Sequence, residues 1–486
     1  MLMNSENVKV EVLGLDFRQD IEPLIKEFFP GFINSEDITI VLEAKEGDFV
    51  LQLKTNEDTK GICETVCFLT ETEKLRHIEY RNQLLRAVYR LLRDYTGKEL
   101  PWGILTGVRP TKLVFERIER GEAGHLKFMA DKYMVSKEKA ALATRIAAVE
   151  YQLLNDIDYK SGYSLYIGIP FCPSICNYCS FGSHPLDKFN PFVEPYIEAL
   201  IKEIKSTATF FPDRKLETVY FGGGTPTSLN AEQLRRLIRC VKENFDISNV
   251  REWTVEAGRP DSITEDKLIM LKEEQITRIS INPQSMVQRT LDAIGRRHTT
   301  EQIVDAFHMA RRLGFDNINM DLIAGLTGEN IDDFRYTLSE IEKLDPDSIT
   351  VHTLARKRAA RLTTESELYE GMDATDVPLM VDTAAEYMKE HGYEPYYMYR
   401  QKNMSDNLEN VGYAKKGKEG LYNILIMEEK QMIVACGSGA STKFVRDVKD
   451  GRFERVENVK NVNEYINRID EMIARKREYI VTHDVR

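Results

Sequence analysis

The chain has 486 residues, 42% hydrophobic and 30% charged, with a formal net charge of −12 from 78 acidic against 66 basic residues. That length exceeds one ordinary core and predicts two or three domains, while the acidic balance argues against a nucleic-acid partner, which needs a basic face. No run of about 18 apolar residues occurs and the first residues lack a basic segment followed by an apolar core, so neither stable membrane insertion nor a signal peptide is expected. Seven cysteines in such a chain point to reduced thiols and a cytoplasmic protein rather than a disulfide framework.

Taken in order, residues 1–160 mix strand and helix signals and are expected to form an α+β accessory domain. Val8 to Leu13 alternates like a strand, Ile21 to Phe29 has helical spacing, and Ile38 to Leu42 with Phe49 to Leu53 suggests a hairpin. Glu73 to Asp94 reads as a long amphipathic helix through Leu84, Leu85, Val88, Leu91 and Leu92. A Gly/Pro-punctuated loop, Trp102 to Lys112, follows, whose Arg109 and Lys112 could meet an anion or simply be solvated. Cys63 and Cys67 have no third partner and read as structural. Helices, including the Ala-rich Lys137 to Asn155, complete this part.

From 161 to 360 strands alternate with helices. Strands are expected at Leu165–Ile169, Thr218–Phe221, Glu252–Glu256, Arg278–Ile281, Asn317–Leu322 and Ser348–Thr353, with helices between them. Repeated βα units require parallel strands joined by right-handed crossovers, an α/β fold whose loops converge at the C-terminal strand ends. Residues 361–486 form a smaller α+β domain: a helix over Asp376–His391, strands at Glu394–Arg400, Tyr422–Ile426 and Gln431–Cys436, a polar loop over Asn403–Gly420, and a closing helix over Val462–Arg475.

Cys172, Cys176 and Cys179 are spaced C-x3-C-x2-C directly after the first strand of the alternating region. Soft thiolates so close together suit an iron–sulfur cluster or zinc. A closed zinc site needs a fourth ligand, for which His184 is the candidate. Three thiolates on a four-iron cluster leave one iron open for a small molecule. A chance grouping of core cysteines is the competing reading, and the surrounding Pro, Ser and Asn do not favour burial.

This spacing, with Leu165-Tyr166 and Ile169-Pro170-Phe171 around it, resembles the radical S-adenosylmethionine (SAM) superfamily. Within it the chain is similar to the oxygen-independent coproporphyrinogen III dehydrogenases and their relatives, most of all the HemZ branch. The resemblance implies a partial (β/α)6 barrel, a [4Fe-4S] cluster on Cys172, Cys176 and Cys179, and one or two SAM molecules. Carried over by motif, Tyr166, Gly223, Glu256 and a backbone near Ser441 would face the first SAM. Tyr178, Gly224, Thr225, Gln284, Arg296, Asp321 and Ala355 would face the second. The residues alone allow blander roles. Gly222-Gly223-Gly224 could be a turn, Glu256 a helix cap or a partner of Arg259, and Gln284 and Arg296 surface groups, whereas Asp321 in an apolar run calls for a ligand or an Arg partner.

The implied activity is oxidative decarboxylation of coproporphyrinogen III propionates to vinyl groups in haem biosynthesis. It requires a low-potential electron donor such as flavodoxin or ferredoxin. The cationic run Arg356-Lys357-Arg358-Ala359-Ala360-Arg361 could receive such an anionic tetrapyrrole. Two departures stand out: Phe181 replaces a fourth cysteine, and Gly168 a histidine, of many relatives. The rival is a haem-binding chaperone of the same family, whose His-Asn-x-x-Tyr-Trp motif corresponds here to Glu409-Asn410-Val411-Gly412-Tyr413-Ala414. A third possibility is radical chemistry on another tetrapyrrole.

Overall fold

The computed structural model describes residues 8–29, 38–55, 58–66, 68, 72–107, 109–159, 161–179, 182–354, 376–400, 408–447 and 452–483. Cys67, Phe181, Ala355 and the cationic run 356–361 lie outside the described residues. The chain divides into two compact units, Met1–Ala148 with Tyr399–Glu409, and Val149–Met398 with Asn410–Arg486. No described helix is long and apolar enough to cross a membrane.

The first unit is built on four strands in the order β1 (Val8–Gly14), β2 (Ile38–Lys45), β3 (Asp48–Thr55) and β4 (Thr59–Thr65). β1 and β2 are parallel and the others antiparallel. Alternation places Val8, Val10, Ile38, Ile40, Leu42, Phe49, Leu51 and Leu53 in its core. Helix Arg18–Phe28 contributes Ile21, Leu24 and Ile25 to the same core, and helix Glu73–Thr96 contributes Leu84, Leu85, Val88 and Leu92. Glu409 is buried in this unit, accepting from Trp102 Nε1 at 2.7 Å and from Lys139 Nζ at 2.7 Å.

The second unit carries an eleven-stranded sheet. Its centre is six parallel strands in chain order: β5 (Gly162–Ile169), β8 (Lys215–Gly223), β9 (Glu252–Glu256), β10 (Arg278–Ser280), β11 (Ile318–Ala324) and β12 (Ser348–Thr353). Two short strands, β6 (Phe171–Cys172) and β7 (His184–Pro185), pair separately. All six strand positions agree with the sequence reading, and the helices between them run over Val193–Ala208, Ala231–Asn244, Glu265–Glu273, Thr300–Arg312 and Ile331–Leu344. Three of those helices begin at reciprocal capping boxes, Asn230 with Gln233, Thr299 with Gln302 and Asn330 with Asp333. Side chain and backbone there satisfy one another's free donors. The strands curve into an open, partial barrel.

Strands from the C-terminal third extend this sheet at both edges. β13 (Glu394–Tyr399) and β14 (Asn410–Ala414) follow β12, with β14 antiparallel to it. On the far side β15 (Met432–Cys436) lies parallel to β5, then β16 (Ser441–Asp447) and β17 (Arg452–Glu457) antiparallel. The expected strand at Tyr422–Ile426 is instead part of helix Leu421–Glu428. Its apolar run is too short for periodicity to decide, and the Glu252 carboxylate accepts from the free Leu421 and Tyr422 amides at 2.7 and 3.2 Å, which fixes a helix start. The closing helix is two, Val462–Asn467 and Ile469–His483.

Candidate functional site

Parallel strands in one sheet put every C-terminal strand end on one side, and the singled-out residues of the first five strands gather there. The cysteine loop leaves β5 at Ile169 and is stitched to its neighbours. Gly224 N donates to Ile169 O at 2.7 Å and Thr225 N to Phe171 O at 2.8 Å. Farther on, Asn177 N donates to Ile294 O at 2.9 Å and its Nδ2 to Ala293 O at 2.8 Å. Cys172 and Cys176 are buried and Cys179 is half-buried. The Thr225 hydroxyl donates to Cys172 Sγ at 3.4 Å. Burial pushes the Cys172 thiol up to about 11 against that hydrogen bond, so its thiolate calls for a positive partner. Among the described residues no three His, Cys, Asp or Glu groups close around one metal ion. His184, the candidate zinc ligand, pairs with Phe171 through β6 and β7 and packs its ring on Phe189 at 4.4 Å.

The glycines at the end of β8 make room beside this loop. A Cβ on Gly224 would stand 2.6 Å from Phe171 O and 3.0 Å from Cys172 Sγ, and Gly223 has φ +113° with Tyr166 Oη 3.2 Å from its would-be Cβ. Only glycine allows that backbone to approach the thiol. Tyr166, Tyr220 and Tyr422 stack across the interior, with centroids 4.4 Å apart for the last pair. Tyr220 donates to the Glu256 carboxylate. Glu256 does not pair with Arg259, which binds Asp261 instead. Burial raises Glu256 to about 7, opposed by the Tyr220 bond and reinforced by Asp321.

Among the described residues Asp321 has no arginine partner. Burial raises its pKa, but His352, with Nε2 at 3.8 Å, and Asn319, whose Nδ2 donates at 2.7 Å, outweigh that and hold it below the usual range. Gln284 sits at φ +68°, pinned by Gln284 N to Asp321 O at 2.9 Å and Ile323 N to Gln284 O at 3.0 Å. Arg296 is buried, donates to Asn282 O and reaches Tyr178 Oη at 3.2 Å. Arg296 thus ties Tyr178 to the segment Asn282–Gln284, while Ala355 lies outside the described residues.

Ser441 reaches this side because β15 runs parallel to β5, so its C-terminal loop opens at the same mouth. Behind that loop sits a charge cluster that sequence reading missed. Fully buried Glu203 accepts from Gly437 N at 2.8 Å, Asn458 Nδ2 at 2.8 Å and Lys476 Nζ at 2.9 Å. Its members are scattered over more than half the chain, and no local pattern signals them.

Buried polar atoms in native proteins almost always find partners. Here Gln284 Oε1, Asn282 Oδ1, Arg296 Nε and the hydroxyls of Ser438 and Ser441 have none among the described residues. Together with the glycine gap beside Cys172, this donor and acceptor set fits a zwitterionic, hydroxyl-bearing ligand next to a thiolate-held cluster.

Comparison with known proteins agrees. The Radical SAM superfamily profile matches residues 166–341. The chain is 43% identical over 416 residues to the oxygen-independent coproporphyrinogen-III oxidase-like protein HemZ of Bacillus subtilis, covering 84% of this chain and 83% of that one. It is 31% identical over 284 residues to the heme chaperone HemW of Bacillus subtilis, covering 57% of this chain and 70% of the relative. The fold matches coproporphyrinogen III oxidase (HemN) of Escherichia coli with a TM-score of 0.53, 22% identity, and coverage of 67% of this chain and 73% of that chain. The chain therefore belongs to the radical SAM family of oxygen-independent coproporphyrinogen III oxidases and their HemZ and HemW relatives, whose cofactors are a [4Fe-4S] cluster and S-adenosylmethionine.

Proposed function

We propose that this chain is a radical SAM oxidoreductase that converts propionate side chains of coproporphyrinogen III into vinyl groups without oxygen. What carries the reading is the mouth itself: a thiol loop, a glycine gap and Arg296 and Gln284 atoms without partners among the described residues lie at the C-terminal strand ends. The 43% identity to a coproporphyrinogen-III oxidase-like protein supports the substrate class. Cys172, Cys176 and Cys179 would hold the cluster. Gly223, Glu256, Tyr166 and the Ser441 loop would hold one SAM, and Tyr178, Gly224, Thr225, Gln284, Arg296, Asp321 and Ala355 a second. When bound and reduced, these cofactors supply a carbon-centred radical that takes hydrogen from an unactivated side chain.

The protein's own work is orientation and exclusion of water. Arg296 offers Nε to a carboxylate while its other nitrogens stay fixed on Asn282 O and Tyr178. Glu256, when ionised, accepts from a pair of ribose hydroxyls. The stacked Tyr166, Tyr220 and Tyr422 line the interior with aromatic surface and keep a reactive centre away from bulk solvent. Loss of carbon dioxide from the propionate leaves one electron, which passes to an external acceptor. A low-potential protein such as flavodoxin or ferredoxin supplies the reducing electron.

A haem-carrying chaperone is the second reading, favoured by the 31% identity to a heme chaperone. Glu409 stands where that motif has its histidine, and it is engaged by Trp102 and Lys139 rather than open to iron. The test is anaerobic reconstitution followed by SAM, a reductant and coproporphyrinogen III, with mass spectrometry of the tetrapyrrole. Loss of carbon dioxide is expected; an unchanged tetrapyrrole with a Soret band on adding haem would favour the chaperone.

A further inference from the structure

Arg259 is a buried cation with no part in the cofactor contacts above. It follows β9, just before the short turn Pro260–Ser262, and is 3% exposed. The Asp261 carboxylate takes its Nε at 3.0 Å and Nη2 at 2.8 Å in a two-pronged pair. Nη1 remains and is directed into the cysteine loop. It donates to Ser174 O at 2.9 Å and lies 2.8 Å from Ser174 Oγ, with Cys176 Sγ at 3.9 Å. Arg296 faces the same sulfur from the next loop. Cys172 is hydrogen-bonded by the neutral Thr225 hydroxyl and senses Arg259 only from farther off. Asp261 offsets the cost of burying this guanidinium, and the third nitrogen remains to act on the loop and the Cys176 sulfur.

We propose that Arg259 is a positioning residue that sets the reduction potential of the cluster by acting through Cys176. The proposal rests on Cys176 being a cluster ligand. Reduction adds one electron shared over the irons and their thiolates, so a fixed cation beside one thiolate stabilises the reduced state and raises the midpoint. Hydrogen bonds and charge at the sulfurs are the protein's ordinary means of tuning such clusters. Asp261 opposes the effect only partly, because it grips the guanidinium on the edge away from the loop. The asymmetry gives opposite predictions for the two partners. Removing Arg259 lowers the midpoint, and neutralising Asp261 raises it.

The experiment is an anaerobic potentiometric titration of the reconstituted full-length protein, followed by electron paramagnetic resonance, for wild type, Arg259→Gln, Arg259→Lys and Asp261→Asn. Arg259→Gln is expected to weaken one-electron reduction about tenfold, a shift of ~59 mV to more negative potential. Asp261→Asn should shift it the other way, and Arg259→Lys should fall between wild type and Arg259→Gln. Midpoints that do not move, or that move in the same direction in Arg259→Gln and Asp261→Asn, overturn the proposal. Should Arg259→Gln fail to hold a full cluster, Asp261→Asn decides, since its midpoint must rise. A Cys176→Ala protein that retains a full cluster overturns both the ligand assignment and this proposal, and iron content separates that failure from an unmoved midpoint.

Discussion

The two ends of the barrel each bury an arginine, and they treat it differently. At the base, Arg278 is 3% exposed and spends its terminal nitrogens on Asn317 Oδ1 at 2.7 Å, Lys418 O at 2.9 Å and Ser348 Oγ at 2.8 Å. Glu252 beside it caps helix Leu421–Glu428. At the mouth, Arg296 is also buried, yet among the described residues its Nε has no partner, and neither do Gln284 Oε1 and Asn282 Oδ1. Arg278 thus acts as a structural tie between strands and loops at the base. The mouth keeps polar groups unsatisfied at a cost in stability, the trade expected of a ligand site.

Substitutions separate the two. The largest effect belongs to Cys176→Ala, which should abolish the four-iron cluster and all SAM cleavage, read by iron and sulfide content and by 5′-deoxyadenosine formation. Arg278→Met strands three buried partners and should cost about 3 kcal/mol of stability, seen as a lower Tm. Arg296→Met strands only Asn282 O and the Tyr178 hydroxyl, so it should lower Tm less than Arg278→Met and weaken SAM binding about 30-fold, the loss of a charge-assisted contact of about 2 kcal/mol, measured by anaerobic calorimetry. If Arg296→Met instead lowers Tm as much as Arg278→Met, the contrast between the ends disappears.

The smallest effect concerns pH. Glu256 titrates at about 7 because burial disfavours its charge. Its raised pKa leaves it protonated below that value, where it loses its charge and one of its two acceptor oxygens becomes a donor, so SAM affinity should fall as pH drops through about 7. Glu256→Gln should flatten that dependence. A dependence that persists unchanged in Glu256→Gln would assign it to another group.

How much of this was legible in the sequence follows from what was local. The βα alternation and the cysteine spacing are local patterns, and the six strands with their loop stand where the residues place them. Gly412 hides the strand Asn410–Ala414, because its lack of a side chain answers Tyr397: a Cβ there would lie 1.9 Å from that ring. Tyr422–Ile426 reads as a strand because its helix start is supplied by Glu252, some 170 residues earlier. The partners of Asp321 turn out to be Asn319 and His352 rather than an arginine, a choice made by neighbouring strands. The sequence offers Arg259 only as a partner of Glu256; its contact with the cysteine loop and the Glu203 cluster have no local pattern, since they join segments far apart in the chain.

The most direct test uses coproporphyrinogen III deuterated at the β-carbon of its propionates, incubated anaerobically with the reduced, reconstituted protein and SAM. Deuterium appearing in 5′-deoxyadenosine together with a vinyl-bearing tetrapyrrole is the expected result. Formation of 5′-deoxyadenosine free of deuterium, with the propionates intact, would contradict it and direct the search to another substrate.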